Sequence, residues 1–333
     1  MRVVSLGSGS SGNALLVEAG PNGRTKLLVD AGFAGRILRE RLRAAGVALS
    51  QIQGVLITHE HADHILGLPN IMKRYATPVV ADPRTLAAIE QIFTAGILRS
   101  ESGALVSLET ESDNMRRDGV YPRPELDPLP VDHLAFDHPV PVGDPDKFPH
   151  PAHPNYIHLT VGSHCTIGDI EVLSFPVSHD AAAPCGYLLS AGGCRVCVVI
   201  DSGVVTSLML EAMNQADLLI LESNHDRERL LRGSYPYSLK QRILSSTGHL
   251  SNDQAAEAVL RTWRTDAVRW LWLAHLSRTN NTPKLALQQM RRRIQEVGVN
   301  LGQVHLSILP HTMGVVWDST QLWHVPSLWE MQM

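Results

Sequence analysis

Runs of apolar residues, each closed by a polar residue or a glycine, recur through this chain and set its pattern of elements. Positions 3–6, 14–18, 26–29 and 55–58 read as strands, with the second and third forming a hairpin around Gly20-Pro21-Asn22-Gly23. Positions 33–45 repeat their apolar residues at helical spacing, and 65–72 reads as another helix. A second series starts near Leu159, with strands at 170–176, 186–189, 196–201, 218–222 and 268–274 and a short helix at 208–214. Ser251-Asn252-Asp253-Gln254 has the form of a capping box ahead of a helix at 255–263. Thr282-Pro283 supplies an N-cap and a first-turn proline for a helix at 284–297. The run Gly7-Ser8-Gly9-Ser10-Ser11-Gly12-Asn13 lacks G-x-G-x-x-G spacing and a following Lys-Ser/Thr. It is expected to be a tight loop between strands and not a phosphate cradle.

The two series are separated by 109–158, which is rich in Pro, Asp and His and reads as a long insertion with little regular structure, a lid or a loop. Its histidines (His133, His138, His150, His153) are expected to lie over the site or in solvent without ligating. No segment repeats at a fixed period, and the chain is expected to form one domain over residues 1–333 with this insertion in it.

Composition narrows the class. At 333 residues the chain can bury a large core, and no stretch approaches the roughly 18 apolar residues a bilayer span needs. The start, Met1-Arg2-Val3-Val4-Ser5-Leu6-Gly7, reads as a first strand and not a signal peptide, so the expected compartment is the cytoplasm, with no membrane partner. The 4 cysteines do not make a disulfide framework. Cys194 and Cys197 lie on a predicted strand, where positions three apart face opposite sides, so they are expected as buried thiols and not as a metal pair. The net charge is −4, but residues 224–293 carry 13 Lys and Arg against 5 Asp and Glu. That asymmetry predicts a basic face suited to a polyanion, with Arg291, Arg292 and Arg293 on it.

The chemistry concentrates in Thr58-His59-Glu60-His61-Ala62-Asp63-His64, directly after the apolar run 55–57. On a strand end His59 and His61 point the same way, while Asp63 and His64 follow where the chain turns into a helix. One group can serve one metal and the next group a second. Imidazole with carboxylate suits Zn²⁺, Mn²⁺ or Fe and not Ca²⁺. His179, Asp201 and His275 each stand at the mouth of a later apolar strand, where a core-packing role is hardest to sustain. Asp30 reads either as a carboxylate behind a ligating histidine or as a turn cap.

The motif at 59–64 resembles the His-x-His-x-Asp-His signature of the metallo-β-lactamase superfamily. The resemblance implies an α/β fold, a four-layer αββα sandwich, and two divalent metal ions. It implies that His59, His61 and His179 hold one ion, that Asp63, His64 and His275 hold the other, and that Asp201 bridges them. An aspartate at 201, where the broad-range zinc β-lactamases have cysteine, implies a phosphodiesterase, nuclease, lactonase or glyoxalase II branch. Leu221-Glu222-Ser223-Asn224-His225-Asp226, Thr247-Gly248-His249-Leu250-Ser251-Asn252 and the segment 273–283 make the chain similar to the YycJ/WalJ-type metallo-hydrolases, a family associated with DNA exonuclease activity and Mn²⁺ or Zn²⁺. The His249 segment also resembles the His motif of RNase Z, which implies a Glu222–His249 pair for leaving-group protonation. Asp63, Glu222 and His249 are the expected catalytic residues, and Arg278 and Asn280 are expected to contact substrate. His225 reads either as a phosphate contact or as part of a turn with Asp226. The expected function is a dinuclear phosphodiester hydrolase acting on nucleic acid, DNA before RNA. The alternative is a small-molecule metallo-hydrolase acting on a lactone, thioester or cyclic phosphodiester. Oligomeric state is left open.

Overall fold

The computed structural model describes residues 1–99, 105–107, 155–264 and 268–323. Two seven-stranded mixed sheets lie face to face. The first orders its strands β16(Val316–Asp318), β1(Arg2–Gly7), β2(Ala14–Ala19), β3(Thr25–Val29), β4(Gly54–Leu56), β5(Val79–Ala81) and β8(Tyr156–His158). The second orders β15(Val304–Ile308), β14(Arg269–Ala274), β13(Leu218–Glu222), β12(Cys194–Val199), β11(Cys185–Ala191), β10(Ile170–Pro176) and β9(His164–Ile167). A separate hairpin joins β6(Ile97–Arg99) to β7(Leu105–Ser107). The helices are α1(Gly35–Ala44), α2(Ala62–Ile65), α3(Leu68–Arg74), α4(Pro83–Ala95), α5(Ser207–Asn214), α6(Arg227–Arg232), α7(Tyr237–Leu244), α8(Asn252–Arg261) and α9(Pro283–Glu296).

Strand alternation generates the layers. In β3, Leu27 and Val29 enter the core between the sheets, while Leu28 turns outward to pack with Leu38 and Leu42 of α1. In β12, Cys194, Val196 and Val198 face inward, and Cys197 and Val199 face Met209 and Met213 of α5. Cys194 and Cys197 are therefore buried thiols on opposite faces, as their spacing predicts. Helices α1 to α4 cover one outer face, and α5, α8 and α9 cover the other. This is the expected four-layer αββα sandwich. The parallel strands β3 and β4 in one sheet, and β12, β13 and β14 in the other, run as continuous apolar segments because both of their faces are covered.

Several boundaries differ from the sequence expectation. The helix expected at 65–72 is two helices, broken at Leu66-Gly67. There the Gly67 N–H donates to the Ala31 carbonyl at 2.7 Å, and a Cβ on Gly67 would stand 2.3 Å from the Phe33 carbonyl oxygen. Packing against the 31–33 turn requires the glycine and ends the helix. The insertion expected over 109–158 closes earlier, since 156–158 pair with β5 as strand β8; its part at 109–154, with His133, His138, His150 and His153, lies outside the described residues. Helices α4, α6 and α7 were not expected, although α4 has an apolar stripe of Leu86, Ile89, Ile92 and Phe93 packed on the core. Among the described residues, no helix is long and apolar enough to cross a membrane.

Candidate metal centre

The site forms where the parallel strands end. Past β4 the Ile57 N–H still bonds to Val80, but the Thr58 N–H turns to Oδ1 of Asp30 at 2.9 Å. The chain then leaves the sheet with His59, Glu60 and His61, and His61 occupies the N-cap position of α2 in extended conformation. Helix α2 follows at once and carries Asp63 and His64. The turn is fastened to the other sheet: the Cys185 N–H donates to the Thr58 carbonyl at 3.1 Å, and the Tyr187 hydroxyl to the Ile57 carbonyl at 2.7 Å.

Three non-glycine residues at these strand exits adopt left-handed backbone: Asp30 (φ 62°), Asp201 (φ 62°) and His275 (φ 53°). Each reverses the chain just past its strand and swings the side chain toward the gap between the sheets. Aspartate and histidine tolerate this region better than most residues, but it carries strain.

Two donor groups result. One nitrogen each of His59, His61 and His179 lies within 4.8 Å of the others, and so do donor atoms of Asp63, His64, Asp201 and His275. All seven residues are buried. His59 Nε2 and Asp63 Oδ1 have no hydrogen-bond partner, which is costly for buried polar atoms and is what a cation would satisfy. The protonation pattern agrees. Burial, helped by the neighbouring imidazoles, holds His59 well below its ordinary pKa; burial also lowers His61 to about 4 and lowers His179. Their lone pairs are open for ligation. Burial opposes ionisation of Asp63 and Asp201, but His64 and His275 outweigh it and hold both carboxyls below the usual range. For His64, burial is outweighed by Asp30, Asp63 and Asp201, which raise it, so a cation entering here displaces a proton. The residues present therefore fit two divalent ions.

The surrounding groups fix the ligands. Asp30 Oδ2 lies 2.8 Å from His64 Nδ1 while its other oxygen caps Thr58, so it performs both tasks expected of it. The Gly248 carbonyl lies 3.0 Å from His179 Nδ1, which puts the proton on that nitrogen and turns Nε2 to the centre. Asn13 Nδ2 donates to Asp63 Oδ2 at 3.2 Å, and Ser8 Oγ accepts from the His275 N–H at 2.9 Å. The Gly-Ser loop thus lines the centre, a role its sequence did not disclose. Gly32 is obligatory beside it, because a Cβ there would stand 1.7 Å from the Asp63 carbonyl oxygen. Asp180, also unforeseen, lies 3.4 Å from His179 Nε2 and pairs with Arg242 at 2.7 Å.

Glu222, at the end of β13, is fully buried, and its Oε1 lies 2.8 Å from His249 Nδ1. Its Oε2 accepts from the Ser202 and Leu250 N–H groups. Burial opposes ionisation of Glu222, but His249 prevails and lowers its pKa. His249 Nδ1 is also 3.3 Å from Asp201 Oδ1, and Asp201, Glu222, His249 and His275 form a third cluster within ligand reach. Behind this segment Asn252 and Asn281 pair amide to amide at 2.8 and 3.1 Å. Asn281 donates further to the Ser223 and Asn224 carbonyls, so one buried pair ties together the loops that bear Glu222, His249 and His275.

The expected substrate contacts are less united. Arg278 is exposed and donates to Ser11 Oγ at 3.1 Å. His225 is 1% exposed, with neither ring nitrogen hydrogen-bonded, and burial lowers its pKa to about 4. Asp226 does not share a turn with it but caps α6 through the Arg229 N–H. Asn280 is also 1% exposed, and its Oδ1 faces Gly233.

Comparison with known proteins agrees with this geometry. The family model described as the metallo-beta-lactamase superfamily matches residues 7–173, and one described as a beta-lactamase superfamily domain matches 140–270. The chain is 33% identical over 298 residues to "Exodeoxyribonuclease YycJ" of Bacillus anthracis, covering 90% of each chain. It is 31% identical over 297 residues to "Exodeoxyribonuclease WalJ" of Streptococcus pneumoniae, covering 89% of each. The metallo-beta-lactamase fold protein YhfI from Bacillus subtilis superimposes with a TM-score of 0.57 at 16% identity, over 95% of this chain and 99% of that one, and so shares the fold. Identity at the level of the first two, along nearly the whole of both chains, is a family relationship, and the chain belongs to the metallo-β-lactamase superfamily, alongside the YycJ and WalJ proteins.

Proposed function

We propose that the chain, as one hydrolase domain over residues 1–333, is a dinuclear metal-dependent phosphodiester hydrolase that cuts nucleic acid in the cytoplasm, DNA foremost and in exonuclease fashion. The observation that carries this reading is the Glu222–His249 pair standing against Asp201. A buried carboxylate that orients an imidazole beside two ligand groups suits a reaction whose leaving group needs a proton. The names of the YycJ and WalJ relatives support the same reading.

In this reading His59, His61 and His179 would hold one ion, Asp63, His64 and His275 would hold the other, and Asp201 would serve both. Zn²⁺ and Mn²⁺ suit these donors, as does Fe. Two such ions, when bound, would supply Lewis acidity toward a phosphoryl group and toward water. The protein does the rest. Asp30, Gly248 and Asn13 hold the ligands in orientation. Glu222 keeps a proton on His249 Nδ1, and His249 delivers a proton to the departing oxygen. Arg278, at the rim, meets the substrate's phosphates. Asn280 keeps its loop in place through its carbonyl, which accepts from the Asp226 N–H at 2.9 Å.

The test is hydrolysis of end-labelled DNA and RNA with Mn²⁺ or Zn²⁺, beside bis-p-nitrophenyl phosphate and a lactone. DNA should be shortened from an end, and a chelator should abolish the reaction. Turnover of the lactone with intact DNA would replace this reading with the small-molecule alternative.

A further inference from the structure

Four parallel strands of the second sheet, β12 to β15, end on the edge that holds the metal centre. Asp201 follows the first, Glu222 ends the second and His275 follows the third. The fourth exit carries Leu309-Pro310-His311, which the reaction does not use. Register places it beside the centre. Leu273 pairs with Ile308, so Leu309 and Pro310 leave the sheet alongside Ala274 and His275, one strand spacing or about 4.8 Å away. Ligands of parallel sheets collect outside such carboxyl ends.

A cavity of about 280 Å³ opens between these two exits. Leu276, Ile308, Leu309 and Pro310 give it an apolar wall, Arg278 and His311 a polar one, and the start of α9 completes it. The walls are preset. The Ser8 N–H donates to the Pro310 carbonyl at 2.9 Å, and the Leu309 N–H to the Leu273 carbonyl at 2.9 Å. The His311 ring sits against Gly9, where a Cβ would stand 2.1 Å from its Nδ1. Arg278 donates to Ser11 Oγ, and among the described residues no carboxylate pairs with it. The basic face expected on α9 is less open, because Arg293 pairs with Glu257 and Glu296, and Arg292 with Glu296. The cavity's volume equals roughly nine waters at about 30 Å³ each, room for one nucleoside and too little for a base pair.

We propose that this cavity receives the nucleoside at the end of a DNA strand, with base and sugar against the apolar wall and the phosphate at Arg278. The proposal rests on the nuclease reading and deepens it, since a strand held by its last nucleoside presents the adjoining phosphodiester to the metal centre next door. The substrate remains a duplex end: only the last pair opens to seat one nucleotide, and the rest stays paired. An apolar hollow with a few fixed polar groups is the usual form of a small-molecule site, and here it would count nucleotides from an end.

The test uses the metal-loaded protein with the variants Ile308→Trp, which fills the cavity, and Arg278→Ala. Binding of thymidine and of thymidine monophosphate is read by calorimetry. Initial rates are taken on a blunt DNA duplex, on the same duplex ending in an abasic nucleotide, and on bis-p-nitrophenyl phosphate. Ile308→Trp should weaken both ligands by at least about tenfold and raise KM on the blunt duplex as much, with turnover of the small diester unchanged. Arg278→Ala, at an exposed position, should weaken the monophosphate by about five- to tenfold and leave thymidine as it was. The abasic end should raise KM at least about fivefold in the unaltered protein. Thymidine binding that is absent, or unaltered in Ile308→Trp, would overturn the proposal, and so would equal KM values for abasic and base-bearing ends. If Ile308→Trp loses small-diester turnover through misfolding, Arg278→Ala and the abasic end decide alone. Thymidine binding that Ile308→Trp abolishes, without cleavage of any DNA, would refute the nuclease reading and leave a nucleoside site standing. Shortening of DNA with the same KM in Ile308→Trp would do the reverse.

Discussion

Glu222 fixes the His249 ring through Nδ1, and the role of that ring is the most discriminating question at the scale of single residues. A natural phosphodiester expels a poor alkoxide, whereas p-nitrophenolate leaves without help. His249→Ala should therefore keep its metal content and lose about 10²–10⁴-fold on an oligonucleotide, the usual range for one general acid, but far less on bis-p-nitrophenyl phosphate. Equal losses on the two substrates would speak for binding instead of proton donation. Loss of an ion would give weight to the cluster of Asp201, Glu222, His249 and His275 and make His249 a ligand. Asn280 reads in sequence as a substrate contact and His225 as either a phosphate contact or part of a turn, and both side chains are 1% exposed, a burial that residue type alone does not disclose.

Among the elements, α4 illustrates how one cap can join distant parts of the chain. Asp82 stands at its N-cap, accepts from the Arg84 N–H and side chain, and with Oδ2 accepts from the Val161 N–H at 2.9 Å. Burial raises its pKa, but Arg84 and the two N–H groups outweigh this and hold it near about 2. Because the folded value is depressed, the stabilisation is complete above the unfolded pKa near 4 and is lost as pH falls toward 2. Asp82→Asn keeps a capping oxygen but removes the charge; it should cost about 1 kcal/mol at neutral pH, and its denaturation midpoint should approach that of the unaltered protein as pH falls from about 4 toward 2. A gap independent of pH would remove the charge from the explanation. Elements of this sort were the least legible in sequence. Strands β13 and β14 stood out because both faces are largely apolar, and α8 and α9 because their caps are spelled out at Ser251 and Thr282. Helix α4 carries the same kind of start at Asp82-Pro83 and was overlooked, while α6 and α7 are too short and polar for a period to emerge.

For the whole molecule, the sandwich matters because it splits the site. Residues 59–64 come from the first sheet, and His179, Asp201 and His275 from the second, so neither half holds the whole of either donor group. The ligands were readable one by one, since each is a polar residue interrupting an apolar strand at its end. Their grouping within 4.8 Å depends on how the sheets face each other, which no local pattern encodes. The supports were unreadable for the same reason: Asn13, Ser8 and the Asn252–Asn281 pair act across long sequence separations.

The left-handed backbone at Asp30, Asp201 and His275 bears on how such a protein can age over evolutionary time. At these positions a side chain strains the backbone, and its bonds within the site offset that strain. Asp201→Gly should leave the chelator-treated protein roughly 1 kcal/mol more stable than Asp201→Ala, because glycine alone takes this φ without penalty; equal melting temperatures would show that the turn is relaxed. Both variants should bind metal poorly. If the difference is found, losing the centre is thermodynamically downhill at each of these exits once selection for it lapses. Lineages that abandon the reaction would then drift toward glycine at 30, 201 and 275 while keeping an intact sandwich.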